Sequence, residues 1–281
     1  MASALFSPSP SFAKEKELIY FESARWLPDD DRMDTGVYRM NPDGTNIKRI
    51  TDGRTPDLSP DGKKLLYSTN NGDIMVSDPN GKNPVKIGTG SYARWSKDGS
   101  KIVFERHFDI WLMNADGSDP VQLTQTEPFY NSSPDISPDG TKIVFHSDRD
   151  GRNHIYVMNI DGSDVKQLTG DASNETAEFD ARWSPDGSKI LYTRYAFDGT
   201  DVYVMDADGS NPTNLTSQIN EDLDGPVWSP DGTRITFSGP NVFDGNENQV
   251  WTMNADGSNV QTFKTYLPNV VLTDWAAKKK D

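Results

Sequence analysis

Oxygen-bearing side chains are spaced for metal binding between Asp148 and Asn153, where the sequence reads D-R-D-G-R-N. Asp148, Asp150 and Asn153 reproduce the D-x-D-G-x-N opening of a calcium-binding loop, and their oxygens are ligands that Ca²⁺ prefers. The Glu at the twelfth position that completes an EF-hand is missing. Asp and Asn at turn starts also bind backbone N–H groups without any metal. The sequence therefore indicates no required cofactor, with Ca²⁺ binding at this loop as an alternative.

Groups for enzymatic chemistry are scarce. The chain contains no cysteine and only three histidines, and it has no G-x-S-x-G motif for a serine nucleophile. Its glycines follow turns instead of forming phosphate-binding loops. His146 and His154 flank one hairpin and could meet beside Asp148 as metal ligands, although two hairpin-end histidines need no metal. We therefore predict that the protein is not an enzyme.

Two short turns recur along the chain and reveal the elements that position these groups. An S-x-D-G turn occurs five times, with its serines 37 to 47 residues apart, as is typical of propeller blades. A second turn, of the form N/D-x-D/N-G, occurs six times and out of phase with the first. The S-x-D-G turns begin at Ser59, Ser96, Ser137, Ser184 and Ser229, and the second turns at Asn41, Asp78, Asn114, Asn159, Asp206 and Asn254.

Each repeat contains four short segments rich in β-branched and aromatic residues, which predict four antiparallel strands joined by tight turns. Residues 18–51 supply only the second, third and fourth strands of a unit. The missing first strand matches Thr273 to Ala276 at the other end of the chain. The sequence therefore predicts an all-β, six-bladed β-propeller whose N- and C-terminal segments share one blade and leave no open sheet edge.

One position in the innermost strand of each blade alternates away from the blade core and should face the central channel. Most residues at this position are charged, and acidic and basic residues would be neighbours. We interpret them as a salt-bridge ring that fills the channel, with a ligand or cation site as the alternative. The ring contains Asp57, Arg94, Asp135, Arg182, Val227 and Asp274.

Both recurring turns should lie on one face of the disc, and the connections of variable length should lie on the other. Variable loops on a rigid scaffold are the usual location of binding sites, and here they carry aromatic and acidic residues. The alternative is that these aromatic residues simply pack back onto the blades. The residues that we predict to contact a partner are Trp26, Tyr130, Tyr195, Phe197 and Phe243.

The repeated R-W-S-P-D-G-S-K-I, I-Y-V-M-N-x-D-G-S and Q-L-T segments resemble the C-terminal propeller of the TolB family of bacterial envelope proteins. The similarity runs from about Leu18 to Ala276. It implies a protein-binding role at the cell envelope, where TolB proteins bind a peptidoglycan-associated lipoprotein near the mouth of the channel. The α/β domain that precedes the propeller in that family has no counterpart in residues 1–17.

We divide the chain into a poorly ordered extension (1–17), a single propeller (18–276, with 18–51 and 270–276 forming the split blade) and a basic tail (277–281). The net charge of −15 disfavours nucleic acid, and no apolar run is long enough to insert into a membrane. We expect a monomer with a protein partner. No export signal is visible, so the location is periplasmic if a signal has been removed and otherwise cytoplasmic.

Two other function classes remain open at this stage. One is a binder of carbohydrate or another small ligand, or a lyase, that uses the channel mouth. The other is the propeller domain of a hydrolase whose catalytic domain lies elsewhere in the gene.

Overall fold

The computed structural model describes residues 17–27, 32–170, 175–219, 221–239 and 249–277, with the backbone alone for Trp26 and Arg32. These residues form 24 strands and contain no helix. The strands are β1 (Glu17–Leu27), β2 (Arg32–Met40), β3 (Lys48–Asp52), β4 (Arg54–Leu58), β5 (Leu65–Ser68), β6 (Asp73–Ser77), β7 (Val85–Thr89), β8 (Ser91–Trp95), β9 (Lys101–Arg106), β10 (Asp109–Asn114), β11 (Val121–Gln122), β12 (Asn131–Ile136), β13 (Lys142–Ser147), β14 (His154–Asn159), β15 (Lys166–Gln167), β16 (Ala177–Trp183), β17 (Lys189–Ala196), β18 (Gly199–Asp206), β19 (Thr213–Asn214), β20 (Asp224–Trp228), β21 (Arg234–Gly239), β22 (Gln249–Asn254), β23 (Gln261–Lys264) and β24 (Val270–Ala277).

The strands form six antiparallel sheets of four, which are the blades of a six-bladed propeller. Blade 1 has the order β24-β1-β2-β3, so the C-terminal strand is innermost and pairs with the N-terminal strand. Blades 2 to 6 are β4–β7, β8–β11, β12–β15, β16–β19 and β20–β23, each with its first strand innermost. The predicted split blade is therefore confirmed.

The central strands are buried on both faces because each blade is packed between two neighbours. In β17, Ile190 and Tyr192 join the apolar cluster shared with blade 4, and Leu191 joins the cluster shared with blade 6. Alternating side chains thus fill the two interfaces in turn, which explains why these strands lack a polar face. The core consists of such clusters between neighbouring blades.

The recurring turns are closed by their own side chains. In the first S-P-D-G turn, Ser59 Oγ donates to Asp61 Oδ1 over 2.6 Å and accepts a hydrogen bond from the backbone N of Lys64 over 2.9 Å. In the second type, Gly117 has φ +87°, and a Cβ there would lie 2.2 Å from the carbonyl oxygen of Ile87 in the previous blade. Glycine is therefore needed both for the turn and for close approach of the blades.

The strand order places the two recurring turns on one face of the disc, called here the constant-turn face. The remaining connections lie on the opposite, variable-loop face. Five innermost strands carry a β-bulge near that face, each with a left-handed residue two positions before the ring residue. These residues are Thr55 (φ 48°), Tyr92 (51°), Ser133 (50°), Asp180 (53°) and Gly225 (58°).

The first strand begins at Glu17 and the last ends at Ala277, one residue beyond the predicted propeller range (18–276) at each end. The remainder of the predicted extension (1–17) and of the predicted basic tail (277–281) lies outside the described residues. None of the described residues forms a helix of the length and apolarity needed to cross a bilayer.

Candidate functional site

The six predicted ring residues all line one cavity of about 430 Å³ in the channel. The cavity opens at the constant-turn face, because the second residues of the S-x-D-G turns also line it. Its wall also includes four tryptophans, each of which directly follows a ring residue in the sequence. The turn residues are Pro60, Lys97, Pro138, Pro185 and Pro230, and the tryptophans are Trp95, Trp183, Trp228 and Trp275.

The ring carboxylates connect neighbouring blades through backbone hydrogen bonds. Asp274 of blade 1 accepts a hydrogen bond from the backbone N of Leu58 in blade 2 over 2.9 Å. Asp57 of blade 2 accepts one from Trp95 in blade 3 over 2.7 Å. Asp135 of blade 4 likewise accepts one from Trp183 in blade 5 over 2.9 Å. The three aspartates therefore link three pairs of adjacent blades around the channel.

The two ring arginines have different surroundings. Arg94 is buried, lies 3.2 Å from Asp57 Oδ1 and donates to the carbonyl oxygen of Thr273. Arg182 donates to the carbonyl oxygen of Ala181 over 3.0 Å, and its buried Nε has no hydrogen-bond partner among the described residues. Burial, followed by the charge of Arg94, lowers the pKa of Arg182 to about 10. The ring is thus one ion pair supplemented by backbone contacts.

Burial dominates the titration of the ring carboxylates. It raises the pKa of Asp57 and Asp135 despite the nearby arginines. It also raises the pKa of Asp274, with a further contribution from Asp57, to about 7. Because the charges of Asp57 and Asp274 repel each other, ionisation of one disfavours ionisation of the other.

Two of the three predicted calcium ligands accept hydrogen bonds from protein groups. Asp148 Oδ1 accepts a hydrogen bond from the backbone N of Tyr130 over 2.7 Å, and Asp150 accepts one from the hydroxyl of Tyr156. Asn153 Oδ1 is buried and has no hydrogen-bond partner within the described ranges. Within the described ranges, no group of three or more His, Cys, Asp or Glu side chains is arranged to hold a metal ion.

His146 and His154 have separate environments. His154 Nδ1 lies 2.7 Å from Glu178 Oε2 in a buried contact between blades 4 and 5. The ring of His146 instead packs edge-on against Phe179, with 5.3 Å between centroids. Burial lowers the pKa of His146, which favours its neutral form.

Four of the five predicted partner-contacting residues are described and lie toward the variable-loop face, but two of these four are in strands. Tyr195 is in β17 and Trp26 is in β1, paired with Met33, because the second and third strands of these blades extend beyond the predicted loop boundaries. Tyr130, Tyr195 and Phe197 are exposed. Phe243 and the side chain of Trp26 lie outside the described residues.

Sequence reasoning missed Phe108, which is 54% exposed and packs edge-on against Tyr130 with 4.4 Å between ring centroids. It occupies the β9–β10 turn, where His107 and Phe108 both have positive φ (52° and 64°). Tight two-residue hairpin turns usually contain Gly or Asn at positions with positive φ. His107 and Phe108 are bulky residues that rarely adopt this conformation, so the sequence did not indicate a turn with an exposed Phe108 here.

A second group that sequence reasoning missed lies at the variable-loop end. Asp180, Asp222 and Asp224 line a cavity of about 400 Å³ between blades 5 and 6. Burial, followed by the charge of Asp180, raises the pKa of Asp224 to about 6, and Glu22 contributes further. Asp180 of blade 5 and Glu22 of blade 1 therefore both disfavour ionisation of Asp224 in blade 6.

Comparison with known proteins agrees with this geometry. The profile of the TolB beta propeller domain matches residues 82–195. A protein TolB homolog of Chlorobium luteolum is 30% identical over 142 residues, which are 44% of this chain and 31% of the relative. The structure of a TolB-type protein from Agrobacterium tumefaciens superposes with a TM-score of 0.68 and 23% identity, covering 92% of this chain and 98% of that one. This chain is a TolB-like six-bladed propeller.

The likeness of this TolB-like propeller to its relatives has two limits. The matched segments cover less than a third of the length of the curated relatives (28%, 31% and 28%). The fold also resembles oligogalacturonate lyase from Vibrio parahaemolyticus, with a TM-score of 0.57 at 15% identity over 89% of this chain and 74% of that one. Identities this low show the fold alone, so function has to be argued from the site.

Proposed function

We propose that this TolB-like propeller is a non-catalytic protein-binding module that contacts its partner through the variable-loop face. The observation that carries the proposal is the distribution of exposed aromatic side chains. Among the described residues, every exposed aromatic residue lies toward that face, whereas the exposed valines lie at the starts of the outermost strands. The aromatic residues are Tyr92, Phe108, Phe129, Tyr130, Tyr195, Phe197 and Tyr266, and the valines are Val85, Val121, Val165 and Val260.

This distribution is typical of an interaction surface. Aromatic residues are enriched at protein interfaces because they bury a large area with little loss of conformational entropy. Phe108 of blade 3 and Tyr130, which precedes the first strand of blade 4, already pack edge-to-face, and this contact restricts both rings before any partner binds. Such preorganisation reduces the entropic cost of association.

Site-specific photo-crosslinking tests the proposal. A photoreactive phenylalanine analogue would replace Phe108, Tyr130 or Phe197 in one set of variants and Val165 or Val260 in a control set. We expect a defined protein adduct from the first set in extracts of the native organism and none from the control set. Adducts from the valine positions alone would show that binding uses the constant-turn face.

Affinity for the crosslinked partner provides a second measure. Phe108→Ala, Tyr130→Ala or Tyr195→Ala should each weaken binding by about 2 kcal/mol, as buried aromatic anchors commonly do. Asp161→Lys is the matched control on the constant-turn face, where Asp161 only closes its own turn by accepting from Ser163. This charge reversal should lower stability modestly and leave affinity unchanged.

A further inference from the structure

The cavity between blades 5 and 6 at the variable-loop end contains an unsatisfied buried hydroxyl. The side chains of Leu191, Thr193 and Tyr195 alternate onto the face of β17 that is turned toward blade 6. Thr193 is only 2% exposed, lines the cavity, and its Oγ1 has no hydrogen-bond partner among the described residues. A buried hydroxyl without a partner costs about 1 to 3 kcal/mol, so a ligand that reaches it is favoured.

The same cavity is lined by carboxylates that form no ion pair within the described residues. Asp180 accepts from Ser133 Oγ over 2.8 Å, Asp222 from Thr200 N over 3.0 Å, and Asp224 from Gly225 N over 2.7 Å. Across the described part of the chain, none of the three forms an ion pair with a basic side chain. The oxygens therefore retain acceptor capacity for a positively charged ligand.

Aromatic and apolar groups complete the wall. Phe179 and Tyr195 line the cavity beside the carboxylates, together with Leu223. Aromatic faces attract organic cations, and an apolar wall suits an alkyl chain better than a hydrated metal ion. The absence of a metal-holding arrangement among the described residues is consistent with this preference.

We propose that this cavity binds a primary ammonium group, as carried by a lysine side chain. An ammonium has three N–H donors, which matches acceptors from Asp180, Asp224 and Thr193 that surround the cavity on two blades. The alkyl stem would lie along Leu223 and Tyr195. The inference rests on the proposed function only for the source of the ammonium, which we assign to a lysine of the protein partner.

Titration calorimetry with two blocked tripeptides tests the cavity directly. The first is acetyl-Gly-Lys-Gly-amide, and the second replaces lysine with norleucine, which has the same alkyl chain and no charge. At about pH 8 and low salt, we expect the lysine peptide to bind at least about tenfold more tightly. Equal affinity of the two peptides, or no binding by either, would overturn the proposal.

Variants then locate the binding. Asp180→Asn and Asp224→Asn should each weaken binding of the lysine peptide by about tenfold, and Thr193→Val, which removes only the hydroxyl, by about threefold. Glu127→Gln is the matched control, because it removes an exposed charge from the same face outside the cavity. Similar weakening by the control would mean that general charge attraction, and not this cavity, holds the peptide. Equal affinity of the lysine and norleucine peptides for the unmodified protein would overturn the proposal even if a variant misfolds.

A third probe, 1,5-diaminopentane, distinguishes the two sources of the ammonium group. Tighter binding of the peptide supports a protein-borne lysine, and tighter binding of the diamine supports a free amine in the same cavity. The proposed function can fail separately. Lysine-specific binding without any crosslinked protein would contradict the proposed function and leave this inference standing. A crosslinked partner without lysine-specific binding would contradict this inference and leave the proposed function standing.

Discussion

The two ends of the central channel both bury carboxylates but treat them differently. At the constant-turn end, Asp57 contacts Arg94 and the backbone N of Trp95, so its charge is used to connect blades. At the variable-loop end, the carboxylate of Asp224 accepts one hydrogen bond within the described residues, from the backbone N of its neighbour Gly225. Burial raises the pKa of both carboxyl groups, because removal from water disfavours the charged form of each. Of these two carboxylates, Asp57 accepts hydrogen bonds from a neighbouring blade, whereas Asp224 accepts one from its own blade.

This difference separates a structural polar cluster from a candidate binding site. A carboxylate whose desolvation is offset by partners from another blade stabilises the closed ring. A carboxylate held among other carboxylates lowers stability, and its presence is best explained by a ligand that compensates the charge. Asp224 belongs to the second group. Asp180 differs, because it accepts a hydrogen bond from Ser133 of blade 4, but it is a bulge residue with positive φ, a conformation that is concentrated at functional sites.

The largest expected effect comes from removing the strand that closes the ring. A chain ending at Asn269 loses β24, including Asp274 and three buried apolar side chains: Val270, Leu272 and Trp275. At about 1.5 to 3 kcal/mol for each buried apolar side chain, the loss approaches the whole stability of a typical domain. We expect no cooperative thermal transition by circular dichroism.

A chain ending at Ala277 is the control, since it keeps the whole of β24 and removes only the basic tail. Its melting temperature should equal that of the intact chain within about 2 °C. If the chain ending at Asn269 melts cooperatively near the intact protein, end pairing does not hold the ring closed.

The next effect comes from the same substitution made at both ends of the channel. Asp57→Asn leaves the buried guanidinium of Arg94 without its carboxylate. Breaking a buried pair commonly costs about 3 to 5 kcal/mol, and here the loss of the charge repulsion between Asp57 and Asp274 offsets part of it, so we expect about 2 to 3 kcal/mol. Urea denaturation at about pH 8 measures the change. An unchanged midpoint would mean that the ring charge is dispensable.

Asp224→Asn should have the opposite sign. The folded-state pKa of Asp224 rises from 3.8 to about 6, so stability falls as the pH increases from about 4 to 6. The amide can still accept the hydrogen bond of Gly225 but carries no charge. We therefore expect a gain of about 1 to 3 kcal/mol at about pH 8 and almost none near pH 4. A variant less stable than the parent at the higher pH would show that the charge of Asp224 is compensated.

Most of the fold could be predicted because its information is local and repeated. The turns at Ser59 and Asn114 recur in phase, and the match of Thr273 to Ala276 with the missing strand predicted the closure. The ring positions followed from strand alternation. The acidic cavity could not be predicted, because Asp180 and Asp224 meet across two blades only after bulges redirect their strands. Phe108 was missed because its exposure depends on an unusual backbone conformation that composition does not reveal.

The smallest expected effect concerns divalent metal, which would compensate the acidic end if it were bound there. The predicted ligands Asp148 and Asp150 already accept hydrogen bonds from Tyr130 and Tyr156. A required Ca²⁺ would stabilise the folded state by mass action, so its removal would lower the melting temperature. We expect EDTA to shift the melting temperature by less than about 1 °C. A calcium-dependent rise abolished by Asp150→Ala would place metal at the 148–153 loop, whereas a rise abolished by Asp224→Asn would place it at the acidic end. The second result would end the contrast between the two ends of the channel, because both would then have their charges compensated.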